Sequence, residues 1–196
     1  MTAIDRAVAL VLSLPADRRV LVGVAGAPGA GKSTFAARLA AETGGTVLPM
    51  DGFHLPQARL VELGRRDRMG APDTFDVDGF AELLRALRSG ERVTAPGFDR
   101  TIEEPVPDAI AIEPGHRILI AEGNYLLHWP EIAPLLDATI FVRLDDAVRH
   151  ERLIARHVAY GKTPDAARAW ALGTDERNAA LIAAGAGRAD LVVDLD

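Results

Sequence analysis

Gly26-Ala27-Pro28-Gly29-Ala30-Gly31-Lys32-Ser33 fits G-x-x-x-x-G-K-[ST], a spacing suited to holding phosphate. Ahead of it runs Arg19-Val20-Leu21-Val22-Gly23-Val24-Ala25, an apolar segment that reads as a buried strand. Behind it runs Thr34-Phe35-Ala36-Ala37-Arg38-Leu39-Ala40-Ala41-Glu42, which reads as a helix. Strand, glycine loop and helix in this order are the context the motif requires. Glycines at 26, 29 and 31 let the backbone take φ > 0 and approach an anion with no Cβ in between. Successive N–H groups turned inward form an anion nest, and the helix adds the positive end of its dipole. In this reading Gly26 through Thr34 surround the phosphates of a nucleoside triphosphate. Lys32 gives a point charge to the β- and γ-phosphates, and the Ser33 hydroxyl is a ligand for Mg²⁺. Pro28 has no N–H and is expected on the outer bend of the loop. The dinucleotide fingerprint G-x-G-x-x-G does not occur.

A length of 196 residues suits one domain, 1–196, with an ample core. Hydrophobic content of 48% with 26% charged residues points to a soluble globular chain. The absence of cysteine excludes disulfides and thiolate metal sites. The opening Met1-Thr2-Ala3-Ile4-Asp5-Arg6 lacks the layout of a signal peptide, and the apolar run Ala7 to Leu14 is too short to span a bilayer. A cytoplasmic protein without a membrane partner is therefore expected. A net charge of −6 argues against broad nucleic-acid binding, which needs a basic face, but not against a local phosphate site.

Periodicity predicts helices over Ala3–Leu14, Lys32–Thr43, Asp76–Ser89, Trp129–Leu136, Asp145–Val158 and Pro164–Ala184. Asp73 or Thr74 is the expected cap of the third. Strands are predicted over Val20–Ala25, Thr46–Met50, Arg117–Ala121, Ala138–Leu144 and Leu191–Val193. Residues 51–75 read as a functional loop region, and 92–115, rich in proline, as a loop or small hairpin excursion. Strands separated by helices imply an α/β fold, a parallel five-stranded sheet with helices on both faces. Ligands then sit at the carboxyl ends of the strands.

Asp51 follows the second strand. It reads equally as a γ-phosphate-side carboxylate, drawing a proton or holding metal, and as a turn residue beside Gly52. Glu122 directly follows a buried apolar strand, where phosphate-loop proteins place a metal-organising carboxylate. Arg149, Arg152 and Arg156 recur at helical spacing, and with the flexible turn at Gly161 and Lys162 they suggest a lid over 145–165. The arginines at 65, 66 and 68 fit an acidic acceptor or plain solvent. His54, His116 and His128 have no metal-ligand spacing; His54 alone adjoins a candidate site residue.

Taken in order, GAPGAGKS, MDGFH, APDTFDVDGF, PGFDR and AEGNYLL resemble the phosphoribulokinase and uridine kinase superfamily, which includes type I pantothenate kinase. The resemblance runs from about Val20 to the C-terminus and is strongest with the small bacterial branch labelled fructokinase or nucleoside/nucleotide kinase-like. It implies a phosphate-loop kinase using ATP and Mg²⁺ on a hydroxyl of a small metabolite: a sugar such as fructose, a nucleoside or a pantothenate-like alcohol. It makes Asp51 the base and Glu122 a Mg²⁺ ligand. It puts Arg152 and Arg156 on the phosphates, with Arg149 behind them. Asn178, in Asp175-Glu176-Arg177-Asn178, matches the acceptor-holding Asn of pantothenate kinase; Arg100 and Tyr125 are further acceptor candidates beside His54. The chain departs from uridine kinases at His54-Leu55-Pro56 and lacks the extra segments of pantothenate kinase. A monomer or homodimer is expected. The rival is a regulatory nucleotide switch with no acceptor; the absence of an N-K-x-D guanine motif and the joint presence of Asp51 and Glu122 argue against it.

Overall fold

The structure, a computed structural model, describes residues 1–195. Helix α1 (Ala3–Leu12) opens on a capping box in which Thr2 and Asp5 satisfy each other's backbone N–H. Strand β1 (Val20–Gly26) is buried throughout and leads through the glycine loop into α2 (Lys32–Thr43) and β2 (Thr46–Pro49). The segment expected to be irregular contains a 3-10 turn at Met50–Phe53, helix α3 (Gln57–Glu62) and two further single turns. Helix α4 (Val77–Leu87) follows, and the proline-rich excursion is a full antiparallel hairpin of β3 (Val93–Asp99) and β4 (Glu104–Ile112). Then come β5 (Ile118–Gly123), β6 (Ala138–Arg143), α5 (Asp146–Ala159), α6 (Pro164–Trp170), α7 (Glu176–Ala183) and β7 (Leu191–Asp194).

The main sheet has five strands in the order β2-β5-β1-β6-β7, all parallel. Its strands are near-continuous apolar runs because helices cover both faces. One face packs Leu21, Leu48, Leu119, Phe141 and α4 into a core; the other packs Val22, Ile120, Ile140, α1 and α2. The strand order positions the site. With β5 between β2 and β1, Glu122 is in register with Pro49 on one side and Val24 on the other. Asp51 and the glycine loop therefore flank it.

Buried Arg19 ties the hairpin's base and the end of α4 to the sheet. Its guanidinium donates five hydrogen bonds, to the carbonyls of Leu87, Gly90, Glu91, Glu113 and His116. The carbonyls left open at the end of α4 thus find a cation.

Three local expectations are corrected. The helix over Trp129–Leu136 is only a 3-10 turn, Ala133–Leu135, since Pro134 lacks the N–H that would bond the Pro130 carbonyl. The helix over Pro164–Ala184 is interrupted by a π-turn at Ala171–Asp175, centred on Gly173. The cap of α4 is Asp76, which accepts from Gly79 N at 2.9 Å. Asp73 instead pairs with Arg65 and Arg68, and buried Thr74 bonds Gly70 and Ala71. Among the described residues no helix is long and apolar enough to cross a membrane.

Candidate active site

The loop between β1 and α2 takes alternate positive φ at Gly29 (81°) and Gly31 (88°), which turns its amides toward one centre. A Cβ on Gly29 would lie 2.8 Å from Leu153 Cγ and 2.9 Å from the Arg149 carbonyl, so the loop is pressed against α5. For the same reason Pro28 is not on an outer bend: it is buried and lines the cavity described below.

Lys32 is 8% exposed, and its Nζ donates to the Ala27 carbonyl at 3.0 Å. Burial pulls its pKa down to about 8, against the pull of Glu122 and Asp51. Ser33 Oγ donates to Glu122 Oε1 at 3.0 Å. Burial raises the Glu122 pKa, with Lys32 opposing. Among the described residues no group of three or more His, Asp or Glu converges on one point. The oxygens of Ser33 and Glu122 are hard donors, suited to a Mg²⁺ that keeps its other ligands from phosphate and water.

Asp51 stands in the 3-10 turn after β2. Gly52 is required there because a Cβ would run into the Pro96 carbonyl, so the turn lies directly against β3. That approach lets Arg100, at the hairpin tip, donate to Asp51 Oδ2 at 2.5 Å. His54 Nδ1 is 2.8 Å from the Asp51 carbonyl, and its ring lies against Phe75 and Phe98. The carbonyl can only accept, so Nδ1 carries the proton; burial lowers the His54 pKa and keeps the ring neutral.

A cavity of about 660 Å³ brings together Lys32, Ser33, Asp51, His54, Arg100, Glu122, Arg156 and Asn178. Other expected residues lie elsewhere. Tyr125 is fully buried against Phe75 and Trp129, and its hydroxyl donates to the Gly70 carbonyl at 2.6 Å, so it does not line the cavity. Asn178 Nδ2 reaches the same carbonyl at 3.3 Å. Arg152 lies beside the loop rather than in the cavity, its Nη1 3.6 Å from where a Gly31 Cβ would be. Arg149, 2% exposed, is bonded to Asp146 and Glu176. It braces α5 against α7.

The cavity also takes in Arg66, one of the three loop arginines considered for an acceptor, ion-paired at 2.5 Å with Glu103; pattern reading missed Glu103, and likewise His157 and Asp175, joined at 2.7 Å. The i, i+3 spacing of Asp175 and Asn178 was the available signal for the last.

The family model described as Phosphoribulokinase / Uridine kinase family matches residues 21–195. The chain is 43% identical over 147 residues to the ATP-dependent kinase-like protein notR' of Aspergillus versicolor, covering 66% of this chain and 84% of that one. It is 35% identical over 190 residues to the uncharacterized protein YggC of Escherichia coli, covering 91% and 79% of the two. A crystal structure titled "putative fructose transport system kinase", from Silicibacter sp. TM1040, has a TM-score of 0.91 and 38% identity over 98% of each chain.

Proposed function

Because the chain belongs to the phosphoribulokinase / uridine kinase family, we propose that it moves the γ-phosphoryl group of ATP to a hydroxyl of a small metabolite, with Asp51 as the base. The observation that carries this reading is the meeting in one cavity of Lys32, the Ser33–Glu122 pair and Asp51. The loop amides and Lys32 hold the polyphosphate. Ser33 and Glu122 are the oxygen donors that would hold Mg²⁺, which when bound neutralises charge on the phosphate oxygens. Asp51 takes or orients the proton of the acceptor hydroxyl as its oxygen attacks phosphorus in line with the leaving ADP. Arg156, on α5 at the cavity rim, neutralises charge as it develops, and the 145–165 segment acts as the lid. Positioning and electrostatics supply most of the acceleration in this chemistry.

The test is ADP release measured with and without a panel of hydroxyl compounds. A kinase releases ADP in step with acceptor. A nucleotide switch shows slow turnover that no acceptor changes, and that result would refute the reading.

A further inference from the structure

Besides Asp51 and Glu122, three further carboxylates line the cavity: Asp67, Glu103 and Asp175. The π-turn between α6 and α7 ends on Asp175, which is only 8% exposed, and it shares a helix face with Asn178, which lines the same cavity. The His157 Nε2–H donates to Asp175 Oδ2 at 2.7 Å, fixing the carboxylate from α5. Asp51 is fixed in the same manner, its Oδ2 taken by Arg100. Among the described residues no protein group hydrogen-bonds the Oδ1 of either aspartate. Each offers one open oxygen that can only accept a hydrogen bond.

Three of the carboxylates on this part of the wall have a basic partner. Arg100 faces Asp51, Arg66 faces Glu103, and His157 faces Asp175. Asp67 also lines the cavity and, among the described residues, has no cation within ion-pair distance. Of the cations that line the cavity, those without a carboxylate partner among the described residues are Lys32, Arg156 and Lys162, the last held over the Trp170 ring. Lys32 belongs to the phosphate loop, and Arg156 and Lys162 to the end of α5 and the turn after it. On the kinase reading above, all three are assigned to the triphosphate. An acceptor carrying its own carboxylate or phosphate would meet open carboxylate oxygens and cations that are already engaged, at a desolvation cost with no compensating partner.

We infer that the acceptor is an uncharged polyhydroxylated molecule, a sugar or the ribose of a nucleoside, and that Asp175 is a specificity residue accepting a hydrogen bond from a second hydroxyl while Asp51 addresses the one phosphorylated. His157 is a positioning residue for Asp175. This rests on the kinase reading above.

The test is an ADP-release screen of neutral hexoses, pentoses, alditols and nucleosides against hydroxy acids and sugar phosphates. Turnover is expected with a neutral polyol and not with the anionic set. With the best polyol as probe, Asp175→Ala should raise its KM on the order of tenfold to a hundredfold, as for loss of a hydrogen bond to a charged group, with the KM for ATP unchanged. Asp175→Asn, which keeps the shape, should give a smaller rise. Unchanged ATP binding in both variants shows that they are folded. Turnover only with hydroxy acids or sugar phosphates, or an unchanged polyol KM in Asp175→Ala, would overturn the inference while leaving a kinase. No acceptor-dependent ADP release from either set would overturn the kinase reading and this inference with it.

Discussion

Arg100 Nη2 donates to Asp51 Oδ2 at 2.5 Å, fastening the tip of the β3–β4 hairpin to the end of β2. The hairpin is a wall of the site because this ion pair, and the close approach of Gly52 to Pro96, hold it there. Replacing Asp51 by Asn keeps the side-chain shape and removes the proposed base. The expected result is a kcat lowered by about a hundredfold or more, the usual contribution of general base catalysis, with ATP still bound. Steady-state kinetics with a titration of a non-hydrolysable ATP analogue would check both. Near-normal turnover would remove Asp51 from the chemistry.

Lys32 makes nucleotide binding sensitive to pH on the alkaline side. Its pKa is held at about 8, below its ordinary 10.5, so the ammonium is charged below about 8 and loses its proton above it. A polyphosphate stabilises the charged form and raises that pKa in the complex. Binding above pH 8 must then take up a proton, and affinity should fall by up to about tenfold per pH unit. Calorimetry in buffers of different ionisation enthalpy, at pH 7 and pH 9, measures the uptake directly. No proton uptake at pH 9 would contradict the assignment.

Ser33→Ala and Glu122→Gln each alter one of the hard oxygen donors proposed to hold Mg²⁺. In both, the free Mg²⁺ needed for half-maximal activity should rise by about tenfold, on the scale of lost metal-site contacts, and excess Mg²⁺ should restore part of the rate. A Mg²⁺ dependence unchanged from the parent chain would show that neither side chain holds the ion.

Arg19 is a stability residue. Lysine cannot span the five carbonyls its guanidinium reaches, so Arg19→Lys leaves several of them buried and unpaired. The expected cost is roughly 3 kcal/mol, a fall in Tm of about 10 °C for a chain of this size. Kinetic constants of the folded variant at low temperature should stay close to those of the parent chain. Thermal unfolding checks the first point and an ADP-release assay the second.

The sheet was legible because each of its strands is an apolar run closed by a glycine, a proline or a charge. The phosphate loop was legible because its chemistry dictates glycine spacing. Glu122 and Asp51 followed, since both stand at strand ends. What could not be read were features set by distant packing. The π-turn hides inside Pro164–Ala184 because adding one residue to a turn leaves composition and approximate periodicity intact, so Asp175 passed as a helix residue. Tyr125 follows Glu122 so closely that it passed for an acceptor residue. Its burial depends on Phe75 and Gly70, which come from another part of the chain, as well as on nearby Trp129. Arg149 repeats with Arg152 and Arg156 at helical spacing, yet only the position of α7 shows that it is buried against Glu176.

The placement of β5 beside β2 gives the chain a modular economy. Everything from Met50 to Arg117, including Asp51, His54, Arg66, Arg100 and the hairpin, leaves and rejoins the sheet on neighbouring strands. The phosphate loop and its following helix lie outside that excursion. A lineage could therefore exchange the excursion for one of different shape and length, acquiring a new alcohol to phosphorylate, while the machinery for the nucleotide is inherited unaltered.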